Sequence, residues 1–86
     1  MPRYEVRISQ TAAKQLRKLP REDQERVAAK ASALATDPRP AGTHKLRGYE
    51  DVWRVRVGPY RILYSVADAE VIVIVLKIGH RSSIYR

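Results

Sequence analysis

Four arginines, a tyrosine and a histidine stand where they could handle a phosphate group. Arg54 and Arg56 alternate with Trp53, Val55 and Val57, and Arg61 follows a Gly58-Pro59 pair. Gly79-His80-Arg81 closes the most apolar stretch of the chain, and Tyr85 comes shortly after. Guanidinium forks suit bidentate phosphate contacts. A phenol can stack on an unpaired base or pass a proton, and an imidazole exchanges protons near neutral pH. Plainer roles stand beside these. Tyr85 would close a core edge, His80 would be solvated on a loop, and the arginines would splay into water or pair with Glu50, Asp51 and Asp68. His44, in a polar segment, carries less weight than His80.

The elements that must position these side chains follow from periodicity. Tyr4 to Ile8 alternates apolar and polar, which predicts a strand with Tyr4, Val6 and Ile8 inward. Ser9 stands at an N-cap position, ahead of a helix over Thr11–Leu19 whose apolar stripe is Ala12, Leu16 and Leu19. Pro20 interrupts that helix and suits the first turn of a second. Glu22, Asp23 and Glu25 favour its positive end, and Val27, Ala31, Leu34 and Ala35 form its buried stripe. Asp37-Pro38-Arg39-Pro40 and Gly42 make a loop. The rest reads as β: a short segment at His44–Leu46, then Val52–Val57, Tyr60–Val66 and Val71–Ile78, with an acidic turn at Asp68–Glu70. The last strand is apolar at nearly every position, as a central strand covered on both faces would be.

The expected class is therefore α+β. One antiparallel sheet with an N-terminal strand carries a two-helix hairpin on one face. If Gly58-Pro59 is a two-residue turn, Val57 lies opposite Tyr60 and Arg56 opposite Arg61. Arg54, Arg56 and Arg61 then crowd the face away from Trp53, Val55 and Val57. Like charges across strands are destabilising, and a bound anion would offset that repulsion.

Composition narrows the class further. Eighty-six residues make one domain, residues 1–86, with a thin stability margin. The absence of cysteine excludes disulfides and thiol catalysis. Two histidines without an acidic cluster leave no metal site, and no cofactor is implied. Seventeen Lys+Arg against nine Asp+Glu give +8, a charge that draws polyanions. An acidic protein partner would also answer to it. MPRYEVRIS lacks the apolar region of a signal peptide, and the run Val71–Leu76 is too short to cross a membrane. The expectation is a cytoplasmic protein with no membrane partner.

Read in order, Lys45-Leu46-Arg47-Gly48, Trp53-Arg54-Val55-Arg56, Tyr60-Arg61-Ile62-Leu63-Tyr64 and Ile78-Gly79-His80-Arg81…Ile84-Tyr85 resemble the RelE family of the RelE/ParE toxin superfamily. Leu16…Lys18-Leu19-Pro20 and the Asp37-Pro38 break extend the likeness over almost the whole chain. The resemblance implies a microbial-RNase-like fold, with helices on one face of the sheet and the active site on the other. It implies an endoribonuclease that cuts mRNA in the ribosomal A site. A RelB-like antitoxin would wrap the toxin and, with it, occupy operator DNA.

By position, Arg61, Arg81 and Tyr85 match the family's catalytic arginines and tyrosine, with His80 as a further acid/base candidate. Arg54, Arg56, Lys45 and Arg47 would contact RNA phosphates. Arg54 and Arg56 stand where the best-known members have lysines, and arginine, unlike lysine, stays protonated. Two other readings remain open at this point. One is a ParE-like inhibitor of DNA gyrase on the same fold. The other is a catalytically degenerate module that binds antitoxin or DNA.

Overall fold

The computed structural model describes residues 3–80. Along the chain run β1 (Glu5–Ile8), α1 (Gln10–Arg17), α2 (Arg21–Ala33), β2 (His44–Lys45), β3 (Val52–Val57), β4 (Tyr60–Ala67) and β5 (Ile72–His80). The strands form one sheet in the order β1-β5-β4-β3-β2. The pairings among β2, β3, β4 and β5 are antiparallel. The orientation of the N-terminal strand is not legible in the sequence; β1 joins β5 in parallel, from Glu5↔Ile72 to Ile8↔Val75.

Both helices pack on the same face. Ala12, Val27, Ala31 and Leu34 meet Val55, Ile62, Tyr64, Val66, Val73, Val75 and Ile78 in one core, flanked by Leu16 and Leu19. Ile8 departs from its inward expectation. It ends the edge strand β1, and among the described residues it is 43% exposed.

The core face of β5 depends on a bulge. Leu63 pairs with Lys77 but Tyr64 pairs with Val75, so Leu76 has no opposite residue. Plain alternation from Val73 and Val75 would next drive Lys77 into the core. The extra residue instead turns Ile78 inward, 1% exposed, and leaves Lys77 exposed. A bulge frees backbone polar groups, and α1 receives them. The Ser9 hydroxyl donates to the Leu76 carbonyl at 3.0 Å, and the Gln15 side-chain oxygen accepts from the Ile78 amide at 2.7 Å. Ser9 also caps α1, accepting from the Ala12 amide at 3.1 Å. One hydroxyl thus starts the helix and ties it to the sheet.

The outer face of β5 is less covered than its composition suggests. Ile72, Ile74 and Leu76 are half-buried, whereas Val73, Val75 and Ile78 are buried. Val71, expected to open the strand, lies in the preceding turn with φ 58°. That value is unusual for a β-branched residue. Its carbonyl accepts from the Glu5 amide at 2.9 Å, and its amide donates to Asp68 at 3.2 Å. The turn and the start of the β1–β5 ladder share this residue.

Replacing Ser9 by Ala removes the cap and the tie to Leu76 together. We expect Ser9→Ala to lower the unfolding free energy by about 1–2 kcal/mol in urea denaturation. An unchanged midpoint would refute the double role of this hydroxyl.

Candidate functional site

The site is built from a turn outward. Gly58 has φ 57°, a value open to glycine at little cost, and Pro59 fixes the φ of the next position. This is the combination of a two-residue type II′ hairpin. A Cβ at Gly58 would in addition meet the Arg26 guanidinium at 3.0 Å. The turn sets Val57 opposite Tyr60, Arg56 opposite Arg61 and Arg54 opposite Leu63. With Val55 buried in the helix-side core, Arg54, Arg56 and Arg61 stand on the open face. They line a cleft of about 320 Å³ together with Gly42, His44 and Val55.

The two histidines take the opposite places from those the sequence suggests. His44 pairs with Arg54 across β2 and β3, so it shares the arginine face and borders the cleft. His80 pairs with Tyr60, and its ring meets the Tyr60 ring edge-on, centroids 6.1 Å apart. The Tyr60 hydroxyl donates to Asp23 of α2 at 2.8 Å, which holds this pair on the helix side. Alternation after the bulge explains the outcome: Ile78 turns inward, Gly79 outward and His80 inward again. Gly79 lies opposite Arg61 and adds no side chain beside it. The signal for His44 was the pairing of β2 with β3. Its register depends on the Leu46–Asp51 loop, which sequence periodicity does not determine.

Other candidates lie elsewhere. Lys45 pairs with Trp53 and so points to the face away from Arg54. Arg47 sits in the β2–β3 loop, and both line a separate shallow depression with Tyr49 and Glu50. Arg81 and Tyr85 lie outside the described residues. Lys77, opposite Leu63, extends the basic face towards β5. Next to it Leu46, Tyr49, Leu63 and Leu76 border a more apolar hollow of about 220 Å³.

The loop that delivers Gly42 and His44 is tied down from below. Tyr64, wholly buried, donates to the Pro38 carbonyl at 2.8 Å. Burial pushes its phenol above the usual range. Arg39 lies over the Trp53 ring, 5.0 Å from its centre, and reaches Asp68 at 2.7 Å. Tyr4 donates to the same carboxylate at 2.7 Å. The hydrogen bonds from Arg39, then Tyr4, hold the Asp68 carboxyl below its ordinary pKa. Asp68 is thereby committed to the loop, away from Arg54, Arg56 and Arg61. Among the described residues, no three His, Cys, Asp or Glu side chains converge as a metal site. Nor is any helix there long and apolar enough to cross a membrane.

This fold and basic face are those of a toxin class. The chain belongs to the family described as the ParE toxin of type II toxin–antitoxin systems, matched over residues 6–85. It is 34% identical over 84 residues to toxin RelG of Mycobacterium tuberculosis, covering 96% of this chain and 97% of that one. It is 31% identical over 86 residues to the mRNA interferase toxin RelE of Escherichia coli, covering 95% and 90%. The archaeal RelE in a RelE–RelB complex from Pyrococcus horikoshii superposes with a TM-score of 0.82 at 31% identity, covering 96% of this chain and 99% of that one. The protein is a RelE-type toxin of a type II system.

The Asp68 pairing has a definite pH signature. Its folded-state pKa is depressed, so its stabilisation is complete above the unfolded carboxylate value and is lost as pH falls through the lower folded one. Asp68→Asn should therefore lower the melting temperature at neutral pH, with the gap to wild type closing in strong acid. A gap that stays constant over that range would show that the carboxylate is not the source.

Proposed function

We propose that this toxin is a ribosome-dependent endoribonuclease that cuts mRNA in the A site without a metal ion. The observation that carries this reading is the cleft itself: Arg54, Arg56 and Arg61 border one cavity on the face opposite the helices. Arginines so placed repel one another and suit a polyanionic ligand. The Escherichia coli relative bears the name mRNA interferase, which supports the same chemistry here. The 2′-hydroxyl would attack its own 3′-phosphate, with Arg61 and Arg81 stabilising the charge that builds on the phosphoryl oxygens. Tyr85 would stack on the mRNA or relay a proton. Arg54 and Arg56 would hold the backbone, and Lys45 and Arg47 would meet phosphates further along. The ribosome would supply the alignment of the substrate.

A RelB-like antitoxin is the proposed partner. RelE toxins from Mycobacterium tuberculosis and Pyrococcus horikoshii have been solved as complexes with such proteins, and the half-buried Ile72, Ile74 and Leu76 offer apolar surface to one. The complex of the two would occupy operator DNA.

The family description names ParE, which favours a second reading, inhibition of DNA gyrase. The two separate on induction in a bacterial host. Growth arrest with cuts in ribosome-bound mRNA belongs to the ribonuclease, and gyrase-dependent DNA breakage with intact mRNA belongs to the inhibitor. In a cleavage assay on programmed ribosomes, we expect Arg61→Ala and Arg81→Ala each to slow cutting by about 10²–10³-fold. Wild-type rates in both would sink the assignment.

A further inference from the structure

We infer that His44 is the proton acceptor of the arginine cleft, the general base that activates the 2′-hydroxyl. This rests on the ribonuclease reading above and adds to it a group that can take the proton of the attacking hydroxyl. An attacking 2′-hydroxyl must lose its proton. The cleft is lined by Gly42, His44, Arg54, Val55, Arg56 and Arg61. Three of these are guanidinium groups that stay protonated in proteins, and two have no titratable side chain. Among the described lining residues, His44 is the one that can take a proton near neutral pH.

The geometry is consistent with the role. His44 stands directly across from Arg54 in the β2–β3 ladder, and residues so paired carry neighbouring side chains on one face. A phosphate held by Arg54 would therefore bring its own ribose towards the imidazole. His44 is exposed, so an RNA strand can reach it. Its position is set by the strand and by the Pro38 and Arg39 ties of the preceding loop. His80, the other histidine, is turned to Tyr60 on the helix side.

The imidazole takes the 2′-hydroxyl proton while the 2′-oxygen forms its bond to the adjacent phosphorus. The bond from phosphorus to the 5′-oxygen of the next nucleotide breaks. That oxygen draws a proton from solvent water, and the imidazolium returns its own to the hydroxide so formed. The products are a 2′,3′-cyclic phosphate and a 5′-hydroxyl end, with His44 neutral again. Around the imidazole the charged groups are Arg54 and Arg56 on β3 and Arg61 on β4, with Lys45 beside it on β2 facing the other way. Lys77 on β5 lies beyond Leu63 on the same face.

The test is single-turnover cleavage of mRNA on programmed ribosomes, at saturating toxin and across pH. His44→Gln keeps a polar side chain but cannot act as the base. We expect it to cut about 10²–10⁴-fold more slowly and to lose the rise of rate with pH that a general base would give the wild type. Added imidazole should partly restore His44→Gly. Three results would overturn the inference: His44→Gln cutting at the wild-type rate with the same pH limb, a defect confined to apparent affinity, or Lys77→Gln removing the limb in its place. Each of these leaves the ribonuclease reading standing, provided that wild type cuts and Arg61→Ala does not. A wild-type protein that fails to cut mRNA on ribosomes rejects that reading first.

Discussion

The register between β3 and β4 is the constraint on which the rest of the molecule depends. Side chains alternate with period two along a strand, so a slip of one residue exchanges the two faces. Such a slip would bring either Arg54 and Arg56 or Arg61 against the helices, turning out Val55 in the one case or Ile62 and Tyr64 in the other. Burying guanidinium groups against that apolar core is far beyond what a small domain tolerates. The wrong register is therefore excluded by the core, and the right one is specified by the turn. Gly58 and Pro59 close the hairpin in two residues, and Arg26 over Gly58 and Asp23 at Tyr60 hold it to α2. The cationic face and the hydrophobic core are two consequences of one alignment.

A second alignment, between β4 and β5, needs an irregularity to succeed. The sequence of β5 has its charged residue, Lys77, two positions after the inward Val75. The bulge at Leu76 resolves the conflict by changing the phase of alternation. It works only because α1 accepts and donates where the ladder is interrupted, through Gln15 and Ser9. The short β1 stops at Ile8, which gives α1 room to reach that edge of β5. Helix start, strand end and bulge form one connected solution.

Most of this was legible from the residues. β3 was readable to the residue, since Trp53, Val55 and Val57 alternate cleanly with arginines, and Gly58-Pro59 marks its end. Ser9, Pro20 and the Val27–Ala35 stripe placed the helices because their signals are local. Features set by distant pairing were not legible. A two-residue β2 carries too little pattern to show that His44 faces Arg54. The bulge was hidden because Leu76 is apolar like its neighbours, and β5 runs on to His80 where the residues had suggested a loop. Val71 looked like strand because a valine at positive φ runs against its own preference. The apolar run of β5 suggested two covered faces, while its outer residues are only half-buried.

The arginine cleft also explains why a small toxin can afford an electrostatic cost. Arg56 and Arg61 lie directly across a strand pair, where like charges destabilise the free protein. An RNA phosphate bound among them, as proposed above, would relieve that repulsion and so gain part of its binding free energy from it. Arginine in place of lysine strengthens this effect, since a guanidinium cannot shed its charge to escape its neighbours. The same substitution removes any chance that those strand positions act as a base. The three guanidinium groups of the cleft can bind and stabilise charge but cannot accept a proton. Among the described lining residues, the inferred proton acceptor is then the imidazole that the register of β2 brings to the cleft.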